Sequence, residues 1–196
     1  MRVLVACEYS GTVRDAFSAK GHHAMSCDIL PSDVPGLHHQ GDVLDILDQE
    51  WDLLVAHPPC TFLANSGVCH LHTKEGRWDD MREGAAFFRE LLNAPIPKVC
   101  VENPVMHGYG KKEIGGVRQS QLVQPWMFGH TETKATCLWL RGLPLLVPTD
   151  DVREETMALP ANQRQRLHYL PPSPDRWKER SKTYTGLANA MAEQWG

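Results

Sequence analysis

Residues 51–60 read Trp-Asp-Leu-Leu-Val-Ala-His-Pro-Pro-Cys, an apolar stretch that runs directly into two prolines and a cysteine. The apolar part, 52–56, predicts a buried strand. In an open α/β sheet, ligands bind beyond the carboxyl ends of the strands, and consecutive prolines make the turn at this end rigid. We therefore expect the thiol of Cys60 at the ligand-binding edge of the sheet, and Cys60 is the first candidate nucleophile.

The rest of the chain alternates between strand-like and helix-like segments. Apolar runs predict further strands, at 2–7, 23–27, 98–101 and 134–140, and a further unit beginning at Gly41. The spacing of apolar residues predicts helices, at 12–20, from about 78 to 93, and at 184–195. This alternation is typical of an α/β fold with a mostly parallel sheet and helices on both faces.

The length of 196 residues suits one domain with a substantial core, so we expect a single domain over 1–196. Residues 141–183 are rich in proline and in basic side chains, and irregular structure is expected there because prolines exclude a long regular element. The net charge of -4 argues against a surface that grips nucleic acid over its whole extent, but not against a local basic strip.

The cysteines and the apolar runs indicate where in the cell the protein is expected. The six cysteines are scattered, and no secretory signal is evident, so we expect a cytoplasmic location. No apolar run reaches membrane-spanning length, and no membrane partner is expected. The run Cys69-His70-Leu71-His72 lacks the second half of a paired zinc-site spacing, so no metal is expected.

Polar residues follow the predicted strands in a fixed order. They are Glu8, Tyr9, Ser10 and Gly11 after the first strand, Asp28 after the second, Asp42 after the third segment, His57 to Cys60 after the fourth, and Glu102 and Asn103 after the fifth. This order resembles that of the motifs of the DNA cytosine-5 methyltransferases. Residues 124–140 are similar to small phage and prophage proteins described as DNA cytosine methyltransferases, and 184–190 resemble the family's last motif.

The resemblance implies S-adenosyl-L-methionine as cofactor and the Rossmann-like fold of enzymes that use it. It assigns cofactor binding to Glu8, Tyr9, Ser10, Gly11, Asp28, Asp42, His57, Pro58 and Asn189. Within this set, Asp28 would hold the ribose hydroxyls and Asp42 the adenine amine, while residues 8–11 would line the methionine end. It assigns catalysis to Cys60, Glu102, Asn103 and Lys134.

The chemistry of the family explains these catalytic residue types. Carbon 5 of cytosine is a weak nucleophile, so a thiolate must first add to carbon 6. Cys60 would do this, and Glu102 would donate a proton to ring nitrogen 3. Asn103 would position the loop that carries Glu102, and Lys134 would contact a phosphate or stabilise the activated cytosine ring.

The chain also departs from the family pattern. The first loop has a single glycine, His57 stands where the family has glycine or phenylalanine, and the Gln-x-Arg-x-Arg segment is absent. The short segment 141–183 stands in place of a target-recognition domain. Its basic strip is our candidate for contact with DNA or a nucleotide, and comprises Arg164, Arg166, Arg176, Lys178, Arg180 and Lys182.

Alternative readings remain open. The same fold could act on a free pyrimidine nucleotide or on single-stranded nucleic acid, including phage DNA hypermodification with another electrophile. It could also be a catalytically silent protein that binds a separate specificity subunit. Cys60 could be a buried structural thiol, and Asp28 and Asp42 could be ordinary turn or cap residues.

Overall fold

A seven-stranded sheet forms the centre of the computed structural model, which describes all 196 residues. Its strands are β1 (Arg2–Ala6), β2 (His23–Asp28), β3 (His38–Gln40), β4 (Leu53–Ala56), β5 (Lys98–Pro104), β6 (Gln121–Val123) and β7 (Thr136–Arg141). The spatial order is β3-β2-β1-β4-β5-β7-β6. The first five strands are parallel, and β7 is antiparallel to both β5 and β6. The prediction of a mostly parallel α/β sheet is confirmed.

Eight helices complete the fold. They are α1 (Thr12–Ala19), α2 (Arg77–Leu92), α3 (Gly108–Glu113), α4 (Arg153–Ala158), α5 (Ala161–Arg164), α6 (Arg166–Tyr169), α7 (Arg176–Ser181) and α8 (Thr185–Trp195). None of them combines the length and the apolar character that a membrane-spanning helix needs. The segment 141–183 is more regular than expected, because it contains the short helices α4 to α7, which its prolines separate.

Helices cover both faces of the sheet, as expected. Because side chains alternate along a strand, Leu4 and Ala6 of β1 face the core under α2, whereas Val3 and Val5 face the core under α1 and α8. The buried positions of the central strands, 3–6 of β1 and all of β4, are therefore apolar on both faces. Phe88 of α2 is fully buried and packs edge-on against Trp139 of β7. Burying a side chain of this size contributes about 1.5–3 kcal/mol to stability.

The chain order reverses at β1, which positions the functional edge. Strand β1 pairs with β2 on one side and β4 on the other, and the backbone N–H of His57 continues this ladder to the carbonyl of Ala6 at 3.0 Å. The loops that follow β1 and β4 thus leave the sheet side by side. In open α/β sheets, such a reversal point is where ligands bind.

Several elements differ from the sequence predictions. Strand β5 continues to Pro104, because β7 pairs with it through Glu102, Asn103 and Pro104. Strands β3 and β6 were not predicted as such, since each has only three residues at a sheet edge. Asp42 does not follow a long strand directly but caps a single 3₁₀ turn at Val43–Asp45.

Candidate functional site

A cleft of about 1230 Å³ opens at the carboxyl edge of β1, β2, β4 and β5. Most of the predicted site residues line it, namely Glu8, Tyr9, Ser10, Asp28, Asp42, His57, Pro58, Cys60, Glu102 and Lys134. Its volume exceeds the roughly 300–1,000 Å³ usual for one small-molecule ligand. The cleft therefore has room for two ligands side by side.

Three predicted site residues do not line the cleft. Gly11 has a φ of 73°, and a Cβ there would lie 2.4 Å from the Arg14 guanidinium, so its role is to shape the first loop. Asn103 is fully buried, and neither of its side-chain polar atoms has a partner. Asn189 is exposed on α8, because the neighbouring Ala188 and Ala190 face the core; the structure does not bring Asn189 to the cleft.

Two carboxylates mark the acidic end of the cleft, beyond β2 and β3. Asp28 Oδ1 accepts the backbone N–H of Leu30 at 3.0 Å, and Asp42 Oδ1 accepts that of Leu44 at 3.0 Å. Each residue thus braces its own turn through one oxygen and keeps the second for a ligand. Burial raises the pKa of Asp28, although backbone N–H donors partly oppose this.

Glu8 is bound to the backbone of its own loop. Its Oε1 accepts the N–H of Val13 at 2.6 Å, and its Oε2 accepts that of Arg14 at 3.2 Å. These are free N–H groups of the first turn of α1, which favours an anion there. Glu8 therefore fixes the loop around Tyr9 and Ser10, and it already occupies the anion position at the start of α1.

The thiol of Cys60 lies on the opposite side of the cleft, after β4. Burial raises its pKa, and the charge of Glu102 raises it further, whereas the positive charges of Lys134 and Arg180 lower it. The net direction is upward, so Cys60 is a neutral thiol in the free protein at neutral pH. It is a nucleophile only if a proton is removed.

Glu102 and His57 form a close pair beside this thiol. His57 Nδ1 lies 3.2 Å from Glu102 Oε2, and both side chains are largely shielded from solvent. Burial raises the pKa of Glu102, but the hydrogen bond from His57 and the nearby positive charge of Lys134 outweigh this and lower it overall. Glu102 is therefore ionised in the free protein at neutral pH.

Residues 164–183, which we call the strap, lie across the cleft. The strap is held at the β7 side by Thr133, whose N–H donates to the carbonyl of Arg164 at 2.6 Å. At the β1 side, the Tyr9 hydroxyl lies 2.9 Å from Ser181 Oγ, and its ring packs against Trp177 at 5.7 Å. The strap thus bridges both ends of the cleft.

The basic strip predicted in this segment divides into two groups. Arg176, Arg180 and Lys182 line the cleft, with Lys182 paired to Asp33 at 3.2 Å. The other three residues do not line the cleft. Arg164 donates to backbone carbonyls, Arg166 pairs with Glu132, and Lys178 pairs with Asp175. Only half of the strip faces the candidate site.

The sequence gives no indication that one further residue, Cys7, lies in the cleft with an unusual backbone conformation. Cys7, directly after β1, is the single non-glycine residue with a positive φ, 57°. Burial raises its pKa, as do the nearby charges of Asp28 and Asp42, so it is an inert thiol. Backbone strain of this kind clusters at functional sites, but an apolar run ending in cysteine gives no hint of it.

The sheet order, the antiparallel β7 and the cleft at β1 together define the Rossmann-like fold of the S-adenosylmethionine-dependent methyltransferases. A crystal structure from E. coli, of a prophage-encoded protein assigned as a DNA modification methyltransferase, is similar with 14% identity and a TM-score of 0.50. The likeness covers 82% of this chain and 56% of that one. At this identity it shows the fold alone.

Two further solved structures, both of eukaryotic proteins, are less similar to this chain. The Entamoeba histolytica methyltransferase EhMeth is 12% identical with a TM-score of 0.48, covering 77% of this chain and 57% of that one. The S. pombe Dnmt2 methyltransferase is 15% identical with a TM-score of 0.45, covering 91% and 62%. No conclusion rests on these two. No family model and no curated protein matches the sequence, and the chain spans little more than half the length of the E. coli protein.

Proposed function

We propose that the protein is an S-adenosylmethionine-dependent methyltransferase that acts on carbon 5 of cytosine in DNA through a covalent adduct to Cys60. The observation that carries this proposal is the shared cleft: Cys60, Glu102 and Lys134 line one side of it, and Asp28 and Asp42 line the other. The nucleophile and the acid thus lie next to a second part of the cleft, the acidic compartment, which Asp28 and Asp42 line.

The acidic compartment fits the proposed cofactor. Asp28 and Asp42 each keep one carboxylate oxygen for hydroxyl or amine donors, which the ribose and adenine of S-adenosylmethionine carry. The residues proposed to hold it are Asp28, Asp42, Tyr9, Ser10 and Pro58. When bound, this cofactor supplies an electrophilic methyl group. Glu8 supports the loop instead of contacting the ligand, because backbone N–H groups occupy both of its oxygens.

The proposed reaction needs a thiolate and a carboxylic acid together. Cys60 Sγ would form a bond to carbon 6 of the ring, and Glu102 would donate a proton to ring nitrogen 3, where charge develops. In the free protein the thiol is protonated and Glu102 is ionised, given the directions of their pKa shifts. Catalysis therefore requires the thiol to release its proton to solvent in the cleft and Glu102 to gain one.

A second candidate acceptor is a free pyrimidine nucleotide or single-stranded nucleic acid, including a hypermodification substrate. The observation that favours it is the strap, whose residues Arg176, Trp177 and Arg180 border the same cleft as Cys60. A duplex would have to flip its base into a cleft that the strap already crosses, whereas a nucleotide or a single strand needs no unpairing.

The experiment is a covalent trap. Purified protein is incubated with S-adenosylmethionine and 5-fluorocytosine in three forms: duplex, single strand and free nucleotide. Fluorine cannot leave as a proton does, so a cytosine-5 enzyme stays attached to the ring. We expect an adduct, detected by denaturing mass spectrometry, that is absent from Cys60→Ser. Cys69→Ser is the matched control, because Cys69 is exposed and does not line the cleft.

The outcomes separate the candidates. An adduct with duplex supports the leading proposal, and an adduct restricted to the single strand or the nucleotide supports the second. Cofactor binding by calorimetry without any adduct would point to a silent protein that serves a separate specificity subunit. An adduct that persists in Cys60→Ser would overturn the assignment of the nucleophile.

A further inference from the structure

His57 is largely buried, and one of its ring nitrogens has no hydrogen-bond partner. Its side chain is only 9% exposed and its Nδ1 lies 3.2 Å from Glu102 Oε2, yet its Nε2 is buried without any hydrogen-bond partner. If Nδ1 donates to the carboxylate, then Nε2 is an acceptor in the neutral ring and a donor in the charged ring. In both cases burial without a partner is costly. The nitrogen therefore calls for a partner that is not a protein atom.

A second, small cavity of about 10 Å³ adjoins this pair. It is lined by His57, Glu102, Lys134, Thr136, Thr183, Tyr184 and Leu187. A polar cavity of roughly 10–15 Å³ holds one water molecule when two or more polar groups can bind it. Three polar groups belong to residues that line it: the unpartnered His57 Nε2, the Thr183 hydroxyl, and the Thr136 hydroxyl, which donates to the Lys134 carbonyl at 3.1 Å and can still accept.

We propose that this small cavity binds one water molecule, and that His57 carries protons between this water and Glu102. The use of Glu102 as an acid rests on the proposed function, whereas the water and the coupled titration of the pair can be measured without it. His57 would then be a positioning and proton-relay residue that acts through Glu102. It also stands at a position where the resembled family has glycine or phenylalanine.

The transfers conserve protons. The Nδ1 proton of His57 moves to Oε2 of Glu102 while Nε2 takes a proton from the water, and the water takes one from solvent. His57 thus changes tautomer but not charge, and Glu102 becomes the carboxylic acid that ring nitrogen 3 needs. His57, Glu102, Lys134 and Thr183 line both the small cavity and the main cleft, which gives solvent protons a short path. The reverse transfer resets the pair.

Other ionisable groups face His57 from three sides. Glu102 lies on β5, Lys134 precedes β7, and Tyr184 precedes α8, while Cys60 lies in the adjoining cleft. Burial, together with its hydrogen bond to Glu132, raises the pKa of Tyr184, so that ring stays neutral. Lys134 and the Cys60 thiol are the other groups that act on the Glu102 carboxyl from the cleft side.

Two measurements test the proposal without methyl transfer. A high-resolution crystal structure of the free protein should contain one ordered water within hydrogen-bond distance of His57 Nε2. Carbon-13 NMR of labelled glutamate, with the signal assigned by Glu102→Gln, should show the Glu102 carboxyl titrating roughly one pH unit higher in His57→Phe, since the hydrogen bond from His57 that lowers its pKa is lost. His57→Asn keeps an N–H donor near the Nδ1 position and should shift the titration less. His23→Asn, at an exposed histidine, should change nothing.

The relay is overturned by a dry cavity, or by a Glu102 titration that is the same in the wild type and in His57→Phe. If His57→Phe does not fold, Thr183→Val removes one hydroxyl from the cavity wall and leaves His57 in place; it should lose the ordered water. Failure of the 5-fluorocytosine trap with the water and the titration both found would reject the proposed function alone. Trapping with a dry cavity would reject the relay alone.

Discussion

Lys134 Nζ lies 2.9 Å from the backbone carbonyl oxygen of Arg180, so the strap holds in place the lysine that neighbours Cys60. The guanidinium of Arg180 makes no hydrogen bond or ion pair of its own, and it also lowers the pKa of the Cys60 thiol. The strap therefore supplies positive charge to the nucleophile in two ways, through the lysine that it fixes and through its own arginine.

The first prediction concerns the reactivity of Cys60. Arg180→Met removes a positive charge that lowers the thiol pKa but keeps the carbonyl that holds Lys134. Below its pKa a thiol has tenfold less thiolate for each unit by which the pKa rises, so alkylation of Cys60 should slow by roughly two- to tenfold at neutral pH. Glu102→Gln removes a negative charge and should accelerate it. Iodoacetamide labelling followed by peptide mass spectrometry measures both rates.

The same experiment has an internal control. Arg118 is exposed and does not line the cleft, so Arg118→Met should leave the labelling rate of Cys60 unchanged. In the wild type the rate should rise with pH until it passes the raised thiol pKa. Equal rates in the wild type, Arg180→Met and Glu102→Gln would mean that neither charge acts on the thiol.

The second prediction concerns how the strap is held at β1. The hydroxyl of Tyr9 contacts Ser181 Oγ at 2.9 Å and the carbonyl of Lys178 at 3.0 Å. Tyr9→Phe keeps the ring that packs on Trp177 but removes these contacts, worth about 1 kcal/mol together. Amide hydrogen exchange in residues 176–183 should therefore speed up by roughly fivefold. Tyr169→Phe, at an exposed ring, should not change it; an unchanged rate in Tyr9→Phe would mean that other contacts hold the strap.

The third prediction separates two costs at glycine positions. Gly11 and Gly21 both have positive φ, 73° and 83°, but a Cβ at Gly11 would meet Arg14 at 2.4 Å, whereas at Gly21 it would meet nothing within 4 Å. Gly21→Ala should lose about 1–2 kcal/mol of unfolding free energy from backbone strain alone. Gly11→Ala should lose more, because the buried Arg14 must also move. Urea unfolding measures both; equal losses would show that Arg14 adjusts without cost.

The sequence predicted the centre of the sheet well for a physical reason. Strand β4 and residues 3–6 of β1 are buried on both faces, so these residues are all apolar and the pattern is clear. Residues at the carboxyl ends of the parallel strands emerge at the shared edge, which is why Asp28, Cys60 and Glu102 all reach one cleft. The edge strand β3 has the sequence His-His-Gln, which carries no such pattern.

The features that escaped prediction depend on contacts between distant segments. The hydrogen-bonded pair of His57 and Glu102 joins residues 45 positions apart, and no local pattern encodes it. The strap lies over the cleft because of contacts such as Tyr9 with Ser181, which spacing cannot reveal. Asn189 was expected at the cleft from its motif, but the register of α8 turns it to solvent.

The fourth prediction uses the orphaned side chain of Asn103. It is fully buried, and both of its polar atoms lack a partner, which costs roughly 1–3 kcal/mol. Asn103→Leu has a similar shape without these atoms, so the protein should keep or gain stability in thermal unfolding. If the residue positions the loop that carries Glu102, the rate of the 5-fluorocytosine trap should fall at the same time. A loss of stability would mean that the amide has partners in the folded protein.

The fifth prediction tests the acidic compartment directly. Asp28→Asn keeps the oxygen that accepts the N–H of Leu30 but removes the charge that the ribose hydroxyls would meet. A hydrogen bond to a charged group contributes about 1.5–3 kcal/mol, so calorimetry should find S-adenosylmethionine bound roughly 10- to 100-fold more weakly. Asp45→Asn is the control, since Asp45 is exposed and lies outside the cleft. Equal affinity in Asp28→Asn and the wild type would remove Asp28 from the cofactor site and leave Asp42 as the acidic group to test next.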